Sequence, residues 1–224
     1  MPAHKLPKRN FSWTPELAYA IGLITTDGNL SKDKRHITLT SSDIDLLKTF
    51  KRCLNLRVRI TKNPSSKIGQ KQSFRVQFGN VQLYNWLTRI GLCPNKTFKI
   101  KSISIPDSVF PDFVRGHLDG DGSIITYVDK YNTNKNPKYI YERLMVYLMS
   151  ASYPHVLWLQ KKIKKLIGLH GAIQVKKHPR RKRNCYVLKF SKRESILLLK
   201  WIYYQKRLPC LKRKYDIAKI FLDK

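Results

Sequence analysis

A chain of 224 residues, 42% of them hydrophobic, can bury a proper core as one large domain or as two small ones. Lysine and arginine outnumber the acids by 45 to 14, a formal charge of +31 that far exceeds what solubility requires and calls for a polyanionic partner. With 11% aromatic residues and the charge spread along the chain, a folded nucleic-acid binder is expected rather than a basic tail, and no apolar run approaches the ~20 residues of a bilayer span.

In chain order, Pro15 to Asp27 is predicted as an apolar helix, Ile37 to Thr40 alternates as a strand, and Ile44 to Leu54 has helical spacing behind a capping Asp43. Strands at Val58 to Thr61 and Phe74 to Phe78 flank a Pro/Ser/Gly-rich turn from Asn63 to Gly69, and a helix from Val81 to Ile90 closes at Gly91. The order then begins again. Pro111 to Asp121 is a helix, Ile124 to Val128 a strand, Lys130 to Lys138 a polar loop and Leu144 to Met149 a strand. Pro154 to Ile167 is an amphipathic helix, Ile173 to Lys176 and Tyr186 to Phe190 are strands around a basic turn from Lys177 to Asn184, and Ser191 to Tyr204 is a helix. A last helix, Lys212 to Leu222, comes after Pro209.

This repetition predicts an α+β protein of two pseudo-symmetric αββαββα halves, residues 1–104 and 105–224, each a four-stranded antiparallel sheet with helices on one face. The opposite sheet face should be basic, because charged and apolar residues alternate in Arg57-Val58-Arg59-Ile60 and Arg75-Val76-Gln77. Candidate contacts to phosphates and base edges are Arg57, Arg59, Lys62, Arg75 and Gln77 in the first half, with Lys176 and Lys189 in the second. The four cysteines, Cys53, Cys93, Cys185 and Cys210, are widely separated with no C-x-x-C pair, and the histidines are scattered, with His178 in a basic run. Buried thiols in a reducing compartment are expected, and no zinc site. Met1–Asn10 is basic without an apolar segment behind it, so the expected location is the cytoplasm or an organelle, not the outside.

Each half opens with a helix that ends in an acid followed by glycine. The two segments are Ala20-Ile21-Gly22-Leu23-Ile24-Thr25-Thr26-Asp27-Gly28 and Val114-Arg115-Gly116-His117-Leu118-Asp119-Gly120-Asp121-Gly122, with the acids 94 residues apart. Gly22 and Thr26, like Gly116 and Gly120, lie four apart on one helix face, where small residues let two backbones approach. Gly28 and Gly122 are expected to turn out of the helix through a left-handed position. If the helices pack in parallel, Asp27 and Asp121 meet where the macrodipole is already negative, and two repelling carboxylates there select a hard cation such as Mg²⁺, with Mn²⁺ able to substitute. Asp-Gly is a common turn, so one copy would signify little; two copies on a strongly basic chain point to metal-dependent phosphodiester hydrolysis.

Both segments resemble the motif that names the LAGLIDADG homing endonucleases, and the order of elements resembles that family from about residue 11 to residue 224. The second motif is the closer match; the first departs at Thr25 and Thr26, where the pattern has Asp and a small residue. The resemblance implies that Asp27 and Asp121 are catalytic metal-binding acids, that two motifs in one chain make a monomer, and that both strands of a long duplex DNA target are cut. It also implies a catalytic lysine after the last helix of each repeat. That role falls to Lys96 in Pro94-Asn95-Lys96-Thr97 and to Lys214 in Pro209-Cys210-Leu211-Lys212-Arg213-Lys214, with Lys99, Lys212 and Arg213 as competitors. Some relatives carry a water-orienting Gln at the end of the second strand, a place held here by Ser41 and Ala151.

No His or Glu sits beside the two acids as an obvious general base, so activation of water is expected to fall to the metal and an ordered water network. The same fold also serves intron RNA maturases and non-cleaving DNA-binding regulators, and these are the alternatives to cleavage. The start at Met1-Pro2 and the end at Asp223-Lys224 lack the nucleophile and terminal Asn of an intein, so protein splicing is not expected.

Overall fold

The protein is described from a computed structural model that covers residues 11–64, 71–177 and 184–222. His178 and most of the two basic or Gly-rich hairpin turns lie outside the described residues. Helix α1 (Pro15–Asp27) starts where the Thr14 hydroxyl accepts a hydrogen bond from the Leu17 amide at 3.1 Å, with Pro15 in the first turn. Strands β1 (Gly28–Leu30) and β2 (His36–Ser41), helix α2 (Ile44–Cys53), strands β3 (Thr61–Lys62) and β4 (Phe74–Gly79) and helix α3 (Val81–Arg89) complete the first half. The second half repeats the order in α4 (Phe110–Asp121), β5 (Ser123–Asp129), β6 (Tyr141–Ser150), α5 (Tyr153–Ile167), β7 (Ala172–Lys176), β8 (Cys185–Phe190) and α6 (Lys192–Ile202), and α7 (Lys212–Leu222) ends it. The sheets are antiparallel with matching orders, β1-β2-β4-β3 and β5-β6-β8-β7.

Most of the predicted elements stand within a few residues of their expected bounds. Asp43 caps α2 by accepting from the Asp45 and Leu46 amides, and Gly91 ends α3 with φ +114°. Three points differ. The fourth strand that the αββαββα order requires in the first half was not located by the sequence; it is β1, since three residues behind a helix carry no periodicity. The expected strand Val58–Thr61 pairs only at Thr61 and Lys62, opposite Arg75 and Phe74. Gly28 and Gly122 are extended, with φ of −83° and −84°, and not left-handed. Both helices run straight into a strand, so an extended residue is what the chain needs there. The glycines serve close packing instead: a Cβ at Gly28 would lie 2.5 Å from Ile24 Cα, and one at Gly122 2.6 Å from Leu118 Cδ1.

On each sheet, alternate residues turn toward the helices. Ile37, Leu39, Val76 and Phe78 do so in the first half, and Leu144, Val146, Leu148, Leu188 and Phe190 in the second; nearly all are buried in one continuous core. Helices α1 and α4 run through the centre of that core and are buried along most of their length. Their backbones touch: a Cβ on Gly22 would lie 2.3 Å from the Phe113 carbonyl oxygen, and one on Gly116 2.1 Å from that of Tyr19. Backbone cannot step aside as a side chain can. Gly116→Ala is therefore expected to cost about 3 kcal/mol and lower Tm by about 6–12 °C. The control is Gly168→Ala, which meets nothing within 4 Å and has only a φ of +71° to strain it. It should cost about 1 kcal/mol, and equal losses measured by calorimetry would refute the close approach as the cause.

Candidate active site

The parallel ends of α1 and α4 bring Asp27 and Asp121 to one place. A Cβ on Gly120 would lie 1.9 Å from the Thr26 hydroxyl and 3.2 Å from Asp27 Oδ2, so the last turn of α4 rests against the first acid. Asp27 is half-buried, and its carboxyl is pushed up to about 7, first by burial and then by the charge of Asp121, against the pull of Lys96 and Lys214. Asp121 is raised as well by the protein packed around it, with the same lysines opposing, but the residue remains open to solvent and its shift counts for less. The ion pairs among the described residues all involve other acids.

Lys96 and Lys214 are both buried at this place, while Lys99 and Lys212 are exposed. Lys96 sits in a 3₁₀ turn (Lys96–Phe98) entered through left-handed Asn95, and donates to the carbonyls of Thr26, at 3.1 Å, and Gly28. Lys214, in the first turn of α7, donates to Leu118 at 2.5 Å, Asp119 at 2.9 Å and Gly122 at 2.7 Å. Each ammonium thus caps the C-terminal carbonyls of one central helix, where the helix dipole favours a cation. Burial lowers Lys96 and brings Lys214 down to about 8.

Sequence reasoning missed the polar network behind the second acid. Asp119, fully buried, accepts from the Tyr19 hydroxyl across the helix pair at 2.8 Å and from the Leu211 amide at 2.7 Å, which fixes the entry to α7 and hence Lys214. Arg115 donates to the carbonyls of Pro209 at 2.8 Å and Ile202 at 2.6 Å and pairs with Asp112 at 2.5 Å. The signal was present: three charged residues inside a helix that the pattern places in the core must be paired. In the first half the place of Asp119 is taken by Thr25, whose hydroxyl only turns back to the Ile21 carbonyl at 2.7 Å.

The candidate DNA contacts divide by register. Arg59, Thr61, Arg75 and Gln77 line one shallow depression on the free face of the first sheet, with exposed Arg57 beyond it. Lys62 pairs with Phe74 and so shares the row that turns toward the helices; Thr61, not Lys62, joins the basic face. Lys176 and Lys189 both belong to the free face of the second sheet, through Cys185 and Tyr147. At the ends of β2 and β6, Ser41 accepts from the Asp43 amide and Ser150 from the Ser152 amide. Ser150, not Ala151, is the structural partner of Ser41, and neither place holds a Gln.

The donor set suits a hard divalent cation. Asp27 and Asp121 offer oxygen ligands only, and burial, joined at Asp27 by the charge of Asp121, raises the proton affinity that a cation would replace. Water and a phosphate would have to complete the shell, since no cluster of three or more His, Cys, Asp or Glu side chains stands among the described residues.

Residues 14–91 match the family model of the LAGLIDADG-like domain. An uncharacterized protein of Methanocaldococcus jannaschii is 26% identical over 142 residues, covering 58% of this chain and 52% of its own, so the chain spans about half the length of the curated relative that it matches. Among solved structures, the I-LtrWI LAGLIDADG homing endonuclease bound to target DNA superposes with a TM-score of 0.58 at 14% identity, over 93% of this chain and 90% of that one. The N-terminal LAGLIDADG domain of DUF199/WhiA does so with a TM-score of 0.52 at 16% identity, over 91% and 87%. No helix of the described residues is long and apolar enough to cross a membrane.

Asp27 titrates near 7 when folded and near 3.8 in its ordinary state, so between those values the folded protein holds a proton that the unfolded chain has lost. Its contribution to stability is present below about pH 4 and is lost as pH rises to 7. In EDTA, Asp27→Asn should therefore flatten the fall in stability between pH 5 and 7.5 by about 2 kcal/mol, and parallel curves for the two proteins would contradict the shift. Lys214→Ala leaves several helix-end carbonyls without their donor and should cost about 3 kcal/mol, against near zero for exposed Lys212→Ala. Equal Tm values for the two variants would remove the capping role. The matched segment shows that residues 14–91 resemble the LAGLIDADG-like domain, and the paired sheets show that the whole described chain has the fold of the LAGLIDADG homing endonucleases.

Proposed function

We propose that the chain is a site-specific, homing-type endonuclease that cuts both strands of a long, asymmetric duplex DNA target as a monomer. The observation that carries this is the pair of acids, Asp27 and Asp121, held together at the meeting ends of two central helices, with neither in an ion pair among the described residues. Binding alone gains nothing from two repelling carboxylates. The likeness to an endonuclease described in complex with its target DNA supports the same substrate class.

Each half would lay its sheet in the major groove, with the helix ends over the scissile phosphates between the half-sites. Asp27 and Asp121 would hold Mg²⁺, which supplies charge stabilisation at the reacting phosphate and a more acidic water. Lys96 and Lys214 keep two positive charges beside the acids, fixed by the carbonyls they cap, and so preorganised toward charge that develops on phosphorus-bound oxygens. The Asp119 tether acts through Lys214 by holding its loop.

The fold is shared with DUF199/WhiA, so a non-cleaving regulator and an RNA maturase remain readings to be separated by experiment. Wild-type protein and an Asp27→Asn/Asp121→Asn variant are incubated with a duplex library carrying the insertion site of the host gene, with Mg²⁺ or EDTA. Cleavage at one site, dependent on Mg²⁺ and reduced more than ~10³-fold in the variant while binding persists, is expected. Binding of duplex without cutting would move the assignment to a regulator, and preference for folded intron RNA would move it to a maturase.

A further inference from the structure

The two sheets share one architecture but not one surface chemistry. On the free face of the first sheet, β2 presents His36, Thr38 and Thr40, and β4 presents Arg75 and Gln77 opposite Thr40 and Thr38. The second sheet carries the equivalent pairs Tyr147 with Lys189 and Met149 with Val187, followed by Met145 with Ile125 on the neighbouring strand. Thus Thr38 is matched by Tyr147, Thr40 by Met149, His36 by Met145 and Arg75 by Val187. Hydrogen-bonding side chains on the first sheet become apolar at three of these places, Met145, Met149 and Val187, while Gln77 is matched by Lys189 and Thr38 by a tyrosine.

These apolar residues form a surface of their own. Ile125 and Tyr127 are 39% and 48% exposed and Met145, Tyr147 and Met149 partly so, whereas Val187, at 2%, is covered and supports them from outside the main hydrophobic core. The Tyr147 hydroxyl donates to Met145 Sδ at 3.1 Å, which leaves its ring as the group presented outward, and Lys176 Nζ lies 5.9 Å from that ring centre. The one acid on this face, Asp129, is neutralised by Arg143 at 2.9 Å. Lys189 stands opposite Tyr147 on the inner strand β8, and Gln174 and Lys176 lie on the edge strand β7, so the apolar side chains of β5 and β6 are flanked by a positive side toward β7, on a chain of charge +31.

We propose that this face recognises a thymine-rich DNA half-site through the C5-methyl groups of thymine, while the first sheet reads its half-site by hydrogen bonds. The thymine methyl is the one apolar group that a base edge presents in the major groove, and the two lysines match the flanking phosphates. Hydrogen-bond donors and good acceptors are what a G·C-rich site demands, and Met145, Met149 and Ile125 offer neither. This inference rests on the duplex-binding part of the proposal above.

The test uses the unmodified chain in EDTA to select duplexes from a random library, followed by replacement of thymine with deoxyuridine in one half-site at a time. One half-site is expected to be thymine-rich and to lose about fourfold in affinity for each methyl removed, so that three replacements cost more than tenfold; the other half-site should change less than twofold. Tyr147→Thr/Met149→Thr, which installs the residues of the first sheet outside the main core, should abolish the uracil penalty at that half-site only and so identify its sheet. Sequence-specific duplex binding without a uracil penalty would overturn the methyl-reading inference and leave the DNA-binding proposal intact. Selection of no duplex, with retention of single-stranded RNA instead, would overturn both.

Discussion

Everything in this molecule depends on two helices that touch backbone to backbone. At Gly22 and Gly116 there is no room for a single methyl group, and Gly120 leaves the space that the Thr26 hydroxyl fills. That approach sets the separation of the two helix ends, and with it the distance over which two carboxylates on different halves act on each other. A wider crossing would leave Asp27 and Asp121 as two independent, ordinary surface acids. The close packing thus converts a fold-level feature, two apolar helices side by side, into a site with unusual proton affinity.

Such a site has to be stabilised against its own charge. Two helix C-termini and two carboxylates concentrate negative potential at one point, and the chain answers with two buried ammonium groups bound to the helix-end carbonyls. Burying a lysine is costly by desolvation, which is why both are easier to deprotonate than usual. In the proposed reaction, holding the helix ends and holding positive charge beside the phosphate would be one arrangement, because a cation already fixed by several carbonyls needs no reorganisation when charge develops.

The repeat, the antiparallel sheets and the meeting of the two acids were legible in the sequence because each rests on local signals: periodicity, capping residues such as Asp43, and glycines four apart on a helix. What escaped were facts decided by contacts distant along the chain. Nothing near Asp119 announces that it meets Tyr19 and Leu211, and nothing near Gly28 announces that the helix runs straight into a strand. The row occupied by Lys62 depends on which residue of β4 it faces, and a strand that pairs over only two residues is too short to fix that by alternation. Lys96 and Lys214 were found by resemblance; their buried, carbonyl-capping geometry was not readable from basic runs in which every lysine looks alike.

Covalent joining of the halves explains why they differ. In a homodimer built on the same helix pair, symmetry would make both sheets and both motifs identical, and any substitution would appear twice. In one chain the motif has drifted to Thr25 on one side and Asp119 on the other, and only the second side has the tether from Asp119 to the loop that carries its lysine. The strands have drifted further still, to Thr38 and Arg75 on one face and Tyr147 and Val187 on the other. The residues that stay matched are those that serve the shared centre: Gly22 with Gly116, Asp27 with Asp121, Lys96 with Lys214. Two halves that must pack at one point, and that in the proposed function would each meet a different stretch of the DNA, are free to diverge at the periphery and constrained to stay alike at the axis.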